Sequence, residues 1–192
     1  MTVGTSYILA SASPRRREIC ALAGLPVEVI PAKTEVPLDR TLPPEQAVLA
    51  VARAKAEEVA ARFPDRVVIG ADTTVWLDDV PLGKPRDEAD AAAMLRRLSG
   101  RTHRVITAVW VCAPARADGF ADTARVTMYP LTEEEIAAYV ATGEPLDKAG
   151  AYGVQGFGMR CVRGIEGDFY TVMGLPGARL WRFLRDFGNS VQ

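Results

Sequence analysis

Apolar positions along the chain follow two rhythms. Ser6–Ala10, Val27–Ile30 and Val67–Ile69 are short, mostly apolar stretches that read as strands. Val67–Ile69 has the pattern of a strand buried on both faces. Between these runs apolar residues recur at helical spacing. Ser13 is placed to cap a first helix, Pro14 suits its first position and Glu18 lies in its first turns. Ile19, Leu22 and Ala23 form its apolar face, and Gly24 ends it. The loop 31–43 follows, with Pro31, Pro37, Pro43 and the acidic Glu35. A long helix is predicted over 44–63, with Val48, Val51, Ala52, Val59 and Phe63 on one face. Lys55 stands in that stripe, either as a lysine packing its stem along the edge or as an ammonium aimed into a site.

The second half continues the alternation. After a turn at Asp78-Asp79, a helix is predicted from Asp87 to Leu98, capped by Asp87, reinforced by Asp90 and stopped by Gly100. Val105–Cys112 and Ala121–Met128 read as long strands joined by a turn near Ala117-Asp118-Gly119. Thr132 and Glu135 have the spacing of a capping box, and Ile136, Ala137, Tyr139 and Val140 carry that helix to Gly143. Residues 144–158 read as irregular. Two short strands are expected around Met159–Ile165 and Phe169–Val172, and Pro176 opens a last helix facing inward through Leu180, Phe183, Leu184 and Phe187. The fold class is therefore α/β, a mixed sheet flanked by helices.

Composition narrows the class of protein. At 192 residues the chain suits a single domain, with room for two lobes around a central cleft. A net charge of −1 gives no global field for nucleic acid or an anionic membrane, so any anion site is a local cluster. Cys20, Cys112 and Cys161 are odd in number and lack metal-site spacing, which fits small core residues in a reducing cytosol. There is no leader pattern and no apolar run near 18 residues, so a cytoplasmic protein is expected.

Three stretches carry candidate chemistry. Ser11, Ser13 and Arg15-Arg16-Arg17 lead into a helix N-terminus. Free N–H groups, the macrodipole and guanidinium forks there favour a phosphate; the alternative is a surface helix start with solvated arginines. Asp72 follows a buried strand, where open α/β sheets place their chemistry, or else it simply caps a turn. Gly83-Lys84-Pro85 puts a cation on a stiff loop, and Asp72 with Lys84 suggests a phosphate and metal site. Neither a G-x-G-x-x-G after a strand nor a P-loop is present. His103 is the only histidine, and no G-x-S-x-G elbow accompanies it, so a structural role is expected. One histidine excludes a histidine-cluster zinc site and leaves a hard, oxygen-ligated ion, Mg²⁺ or Mn²⁺. Residues 143–156 are glycine-rich and polar, a connector or a ligand wall, in which Gln155 offers a donor and an acceptor for a base edge.

Five spaced blocks then resemble the Maf family of nucleoside triphosphate pyrophosphatases. They are Ser11–Arg16, Gly70–Thr73, Gly83–Arg86, Leu98–Thr107 and Asp147–Gly156, in family order across nearly the whole chain. The resemblance implies an elongated mixed sheet similar to inosine triphosphate pyrophosphatases. It also implies a cytoplasmic homodimer that cleaves a nucleoside triphosphate to the monophosphate and pyrophosphate with a divalent metal. It makes Asp72 the general base and a metal ligand with Glu35, and Arg15, Thr73 and Gln155 the specificity positions. Ser11, Ser13, Arg15, Arg16, Lys55 and Lys84 become the phosphate-binding set. The Asp147–Gly153 loop resembles the dTTP/UTP branch; the 7-methyl-GTP branch is the alternative. A nucleotide-binding regulator of cell division without turnover, and a nucleic-acid module using Arg15–Arg17, are readings from other classes. The net charge and the few aromatics argue against the last.

Overall fold

A computed structural model describes residues 6–33 and 35–189. Seven strands and six α-helices are found among them: β1 (Tyr7–Leu9), α1 (Pro14–Leu22), β2 (Val27–Val29), α2 (Pro44–Ala60), β3 (Val68–Leu77), β4 (Val80–Leu82), α3 (Glu88–Leu98), β5 (Thr102–Ala113), β6 (Arg116–Met128), α4 (Glu133–Val140), β7 (Val162–Glu166), α5 (Phe169–Met173) and α6 (Gly177–Asn189). One sheet runs β2-β1-β3-β5-β6-β7, with β4 paired to β3. β1 is parallel to both β2 and β3, whereas β4 on β3 and β7 on β6 are antiparallel. The α/β class with a mixed sheet and flanking helices is as expected.

The chain forms two compact units. The first takes the described residues up to Asp72, Thr107–Asp122 and those from Gly174; the second takes Thr73–Ile106 and Thr123–Met173. The first holds a core cluster of Ile8, Ala10, Ala56, Val59, Val68 and Cys112. The second is built on Val75, Leu77, Leu95, Leu98, Val105, Val126, Met128, Ile136 and Tyr139.

Within the first unit α2 lies directly on β3, and Gly70 makes this possible. A Cβ at Gly70 would overlap the carbonyl oxygen of Ala52 and stand 2.8 Å from the Cβ and the N of Ala56. Small residues on both sides let the two backbones meet. Side chains two apart share a strand face, so Asp72 points to the side on which α2 lies.

Four local expectations are corrected. β3 does not end before Asp72 but continues to Leu77, because the β-branched Thr73, Thr74 and Val75 keep pairing; Asp72 is a mid-strand residue. The turn between β5 and β6 is at Pro114-Ala115 rather than near Asp118. Gly119 lies within β6, where a Cβ would run into the backbone of Val109 and Trp110. Phe169–Met173 is a helix, not a strand. Asp168 closes its first turn by accepting from the N–H of Thr171 at 2.8 Å and its hydroxyl at 3.0 Å, and this local cap outweighs the β preference of the sequence. Residues 144–158, expected to be irregular, lie largely in three 3₁₀ turns, 144–147, 149–151 and 156–161, and the last of these takes Met159–Cys161 from the expected strand, which starts at Val162. Other signals appear as read: the Asp87 cap, the Thr132–Glu135 capping box, and the two-residue turn at Asp78-Asp79. Those aspartates have φ of 49° and 61°, as a type I′ hairpin requires.

Candidate active site

The first unit brings two pairs of candidate side chains together. Lys55, from the fourth turn of α2, donates its Nζ proton to Oδ1 of Asp72 at 2.5 Å. Both side chains are about a fifth to a quarter exposed, 25% and 19%. Lys55 is thus neither purely solvated nor purely a stripe residue: its stem runs along the apolar edge and its head ends on a carboxylate. A half-buried pair of this kind gains little stability over apolar residues of the same volume. Stability alone therefore gives a weak reason for these two residues to be here. Oδ1 is committed to Lys55.

The second pair is at the start of α1. Ser13 stands in the N-cap position, with Pro14 next, but its hydroxyl makes no capping bond. Its N–H donates instead to the buried Ser11 hydroxyl at 3.3 Å. Arg16 donates from Nη1 to the same hydroxyl at 2.9 Å and from Nε to the carbonyl of Gly174 at 2.8 Å. Burial lowers the Arg16 pKa from its ordinary value, and the Asp72 charge is the largest influence in the other direction. The guanidinium stays protonated, as arginine does in proteins. Arg15 beside it makes no hydrogen bond or ion pair among the described residues. The first turn of α1 contains no acid. A free guanidinium, a clamped one and a helix N-terminus are together suited to an anion.

Glu35, in the first unit, is exposed on the connection between β2 and α2. In the second unit Thr73 follows Asp72 on β3, Lys84 is exposed just after β4, and Gln155 is exposed in front of the third 3₁₀ turn. Lys84 and Gln155 make no side-chain hydrogen bond among the described residues. The cation bonded to Asp72 is Lys55. Spacing along α2 did contain that signal, since Lys55 is the one charge in an apolar stripe. The clamp from Arg16 to Gly174 spans 158 positions, and no local pattern announces it.

Among the described residues no three His, Cys, Asp or Glu side chains cluster as a protein-only metal cage. Asp72 has hard oxygen donors but one of them is taken. This donor set fits an ion that arrives on phosphate oxygens and keeps its waters, as Mg²⁺ does.

His103 takes the structural role. It is buried, its Nε2 lies 2.6 Å from the Tyr152 hydroxyl, and the rings meet edge to face at 5.2 Å. Burial lowers its pKa to about 4. The unfolded chain binds a proton near pH 6.5 that the native state takes up only near 4. Stability should therefore rise with pH across that window and be level above it. The difference amounts to at most about 3 kcal/mol. Melting between pH 4.5 and 7.5 should show this slope, and His103→Gln should flatten it.

Residues 6–187 match the family described as Maf-like protein. The chain belongs to the Maf family. Its relatives include a dTTP/UTP pyrophosphatase of Bacillus velezensis, 53% identical over 180 residues, covering 94% of this chain and 95% of the relative. Another, from Koribacter versatilis, bears the same name at 50% identity, covering 97% and 96%. A third, from Bacillus cereus, is 48% identical, covering 96% of each chain. Among solved structures, this Maf-like chain is similar to a dITP/XTP pyrophosphatase from Mycobacterium abscessus at 15% identity and a TM-score of 0.47, covering 95% and 98%. The Staphylococcus aureus Ham1 protein is similar at 14% identity and 0.49, covering 95% and 99%. No helix among the described residues of this Maf family member is long and apolar enough to cross a membrane.

Proposed function

We propose that this Maf family member hydrolyses the pyrimidine nucleoside triphosphates dTTP and UTP to the monophosphate and pyrophosphate. The observation that carries the reading is the first unit's charge arrangement. A carboxylate, Asp72, is held by Lys55 in the unit where Arg15 and Arg16 open α1. The names of relatives at about half identity over nearly the full chain supply the substrate.

Asp72 acts as the general base. Lys55 fixes it through Oδ1 and leaves Oδ2 to orient a water and accept its proton. Arg15 and the α1 N-terminus bind phosphate oxygens, with Arg16 held in place by Ser11 and Gly174. Cationic groups placed in advance stabilise charge on the departing pyrophosphate. Ser13 and Lys84 join this set by the resemblance. Asp72, with Glu35, would hold a Mg²⁺ or Mn²⁺ ion. Such an ion supplies charge neutralisation on the phosphate oxygens and a more acidic bound water. Thr73 and Gln155 read the base, an assignment that rests on the family resemblance. A cytoplasmic homodimer remains part of the proposal.

The test is initial rates with dTTP, UTP, CTP, ATP, GTP and 7-methyl-GTP, with Mg²⁺ or Mn²⁺ and after chelation. dTTP and UTP should be turned over fastest, and chelation should stop turnover. Preference for 7-methyl-GTP would overturn the substrate assignment. Saturable binding of UTP without turnover would replace the enzyme by a nucleotide sensor.

A further inference from the structure

We propose that Glu144, acting with Tyr139, is a positioning residue that sets base discrimination by fixing the backbone on both sides of Gln155. The proposal rests on the reading of Gln155 as a base-contacting residue. It concerns the second unit alone.

Glu144 opens the first 3₁₀ turn after α4. Its carboxylate collects three donors. Oε1 accepts from the Tyr139 hydroxyl at 3.0 Å and the Gly158 N–H at 3.2 Å; Oε2 accepts from the Phe157 N–H at 2.8 Å. The Tyr139 hydroxyl in turn accepts from the Gly153 N–H at 3.0 Å. Amides before and after Gln155 thus end on one phenol–carboxylate pair. Tyr139 is fully buried and stacks on Phe157, with ring centroids 5.8 Å apart and planes 14° from parallel. Burial, more than the Glu144 charge, pushes its pKa above the ordinary range, so the phenol stays a donor at neutral pH. Lys148 donates to the Glu144 carbonyl at 2.6 Å and to Asp147 at 2.7 Å, bracing the same turn.

The glycines fit this closure. A Cβ on Gly158 would overlap the Tyr139 hydroxyl and the Gly153 carbonyl. Gly156 has φ of +67°, and a Cβ there would stand 2.7 Å from Glu144 Oε2. Against this fixed frame, Gln155 is exposed and its amide is bonded to nothing among the described residues. A carboxylate is a costly way to pin a loop unless all its bonds are made. Here they are made, and the one uncommitted amide is the side chain they leave in place.

The experiment is a double-mutant cycle read by dissociation constants for α,β-imido-UTP and α,β-imido-GTP, which needs no turnover, with KM and kcat for UTP alongside. Glu144→Gln keeps the shape, and Tyr139→Phe cuts the same link from the other end. Each should lower the UTP-over-GTP preference about five- to tenfold, the scale of one well-placed hydrogen bond, with the loss in KM rather than kcat. Amide exchange at Phe157 and Gly158 should quicken in both. In a Gln155→Ala background neither should cost further discrimination. Full additivity there, or equal losses for both nucleotides, would overturn the positioning role. If Gln155→Ala alone leaves the preference unchanged, the base-reading assignment itself falls. If it lowers the preference while the Glu144 and Tyr139 variants do not, only the positioning role falls.

Discussion

Asp72→Asn is expected to lower nucleotide hydrolysis by roughly 10²–10⁴-fold, the usual worth of a positioned general base. Asparagine keeps the size of the side chain, and its amide oxygen can still accept from Lys55. Packing at the contact of α2 with β3 is therefore preserved, and melting should change little. What is lost is a group that accepts a proton and a negative charge in the Arg16 field. At saturating Mg²⁺, removing that charge beside an anionic substrate should leave KM unchanged or lower it. The effect should fall on kcat, measured as initial rates of pyrophosphate release. A variant that hydrolyses at the wild-type rate would remove Asp72 from the chemistry.

Gly70→Ala should damage both the stability of the first unit and its candidate site. The added carbon meets the backbone oxygen of Ala52 and stands 2.8 Å from both Cβ and N of Ala56. Backbone atoms cannot swing aside as a side chain does, so α2 must lift from β3. Overpacking of this kind costs about 1–3 kcal/mol or more. For a chain of this length that is a melting point lower by roughly 2–12 °C. Lys55 is three residues beyond Ala52 on the same helix, so lifting α2 also draws Lys55 from Asp72. The variant should lose activity about tenfold or more at temperatures where it is still folded, as expected when a reacting group is displaced by about 1 Å. Calorimetry and rates at 20 °C test both halves. Unchanged melting together with unchanged turnover would mean that the close approach of α2 to β3 is not what holds the pair.

Most of the element order was legible because its signals are local. Asp87, Thr132 and Glu135 cap their helices through bonds within one turn, and the alternating cores follow from spacing. Asp72 was legible as a candidate, but its setting was not. Gly70 and Asp72 look like the end of a strand, yet Gly70 is small because a helix rests on it, and Thr73–Val75 continue the ladder. The bond from Lys55 to Asp72 is hidden for a related reason: the two are 17 positions apart and meet only when α2 packs on β3. Arg16 had a readable place at a helix start, but its anchor at Gly174 depends on the tertiary fold. The Glu144–Tyr139 pair was missed altogether. In sequence its members look like a helix-face aromatic and one more acid before a proline, and only the winding of residues 144–161 joins them.

The central claim is a hydrolysis that releases pyrophosphate in one piece. The most direct measurement is the product balance of UTP with wild-type protein and Mg²⁺, followed by anion-exchange chromatography through the first turnovers. The account predicts UMP and pyrophosphate in equal amounts, with no UDP at any time. UDP and inorganic phosphate as the first products would contradict it.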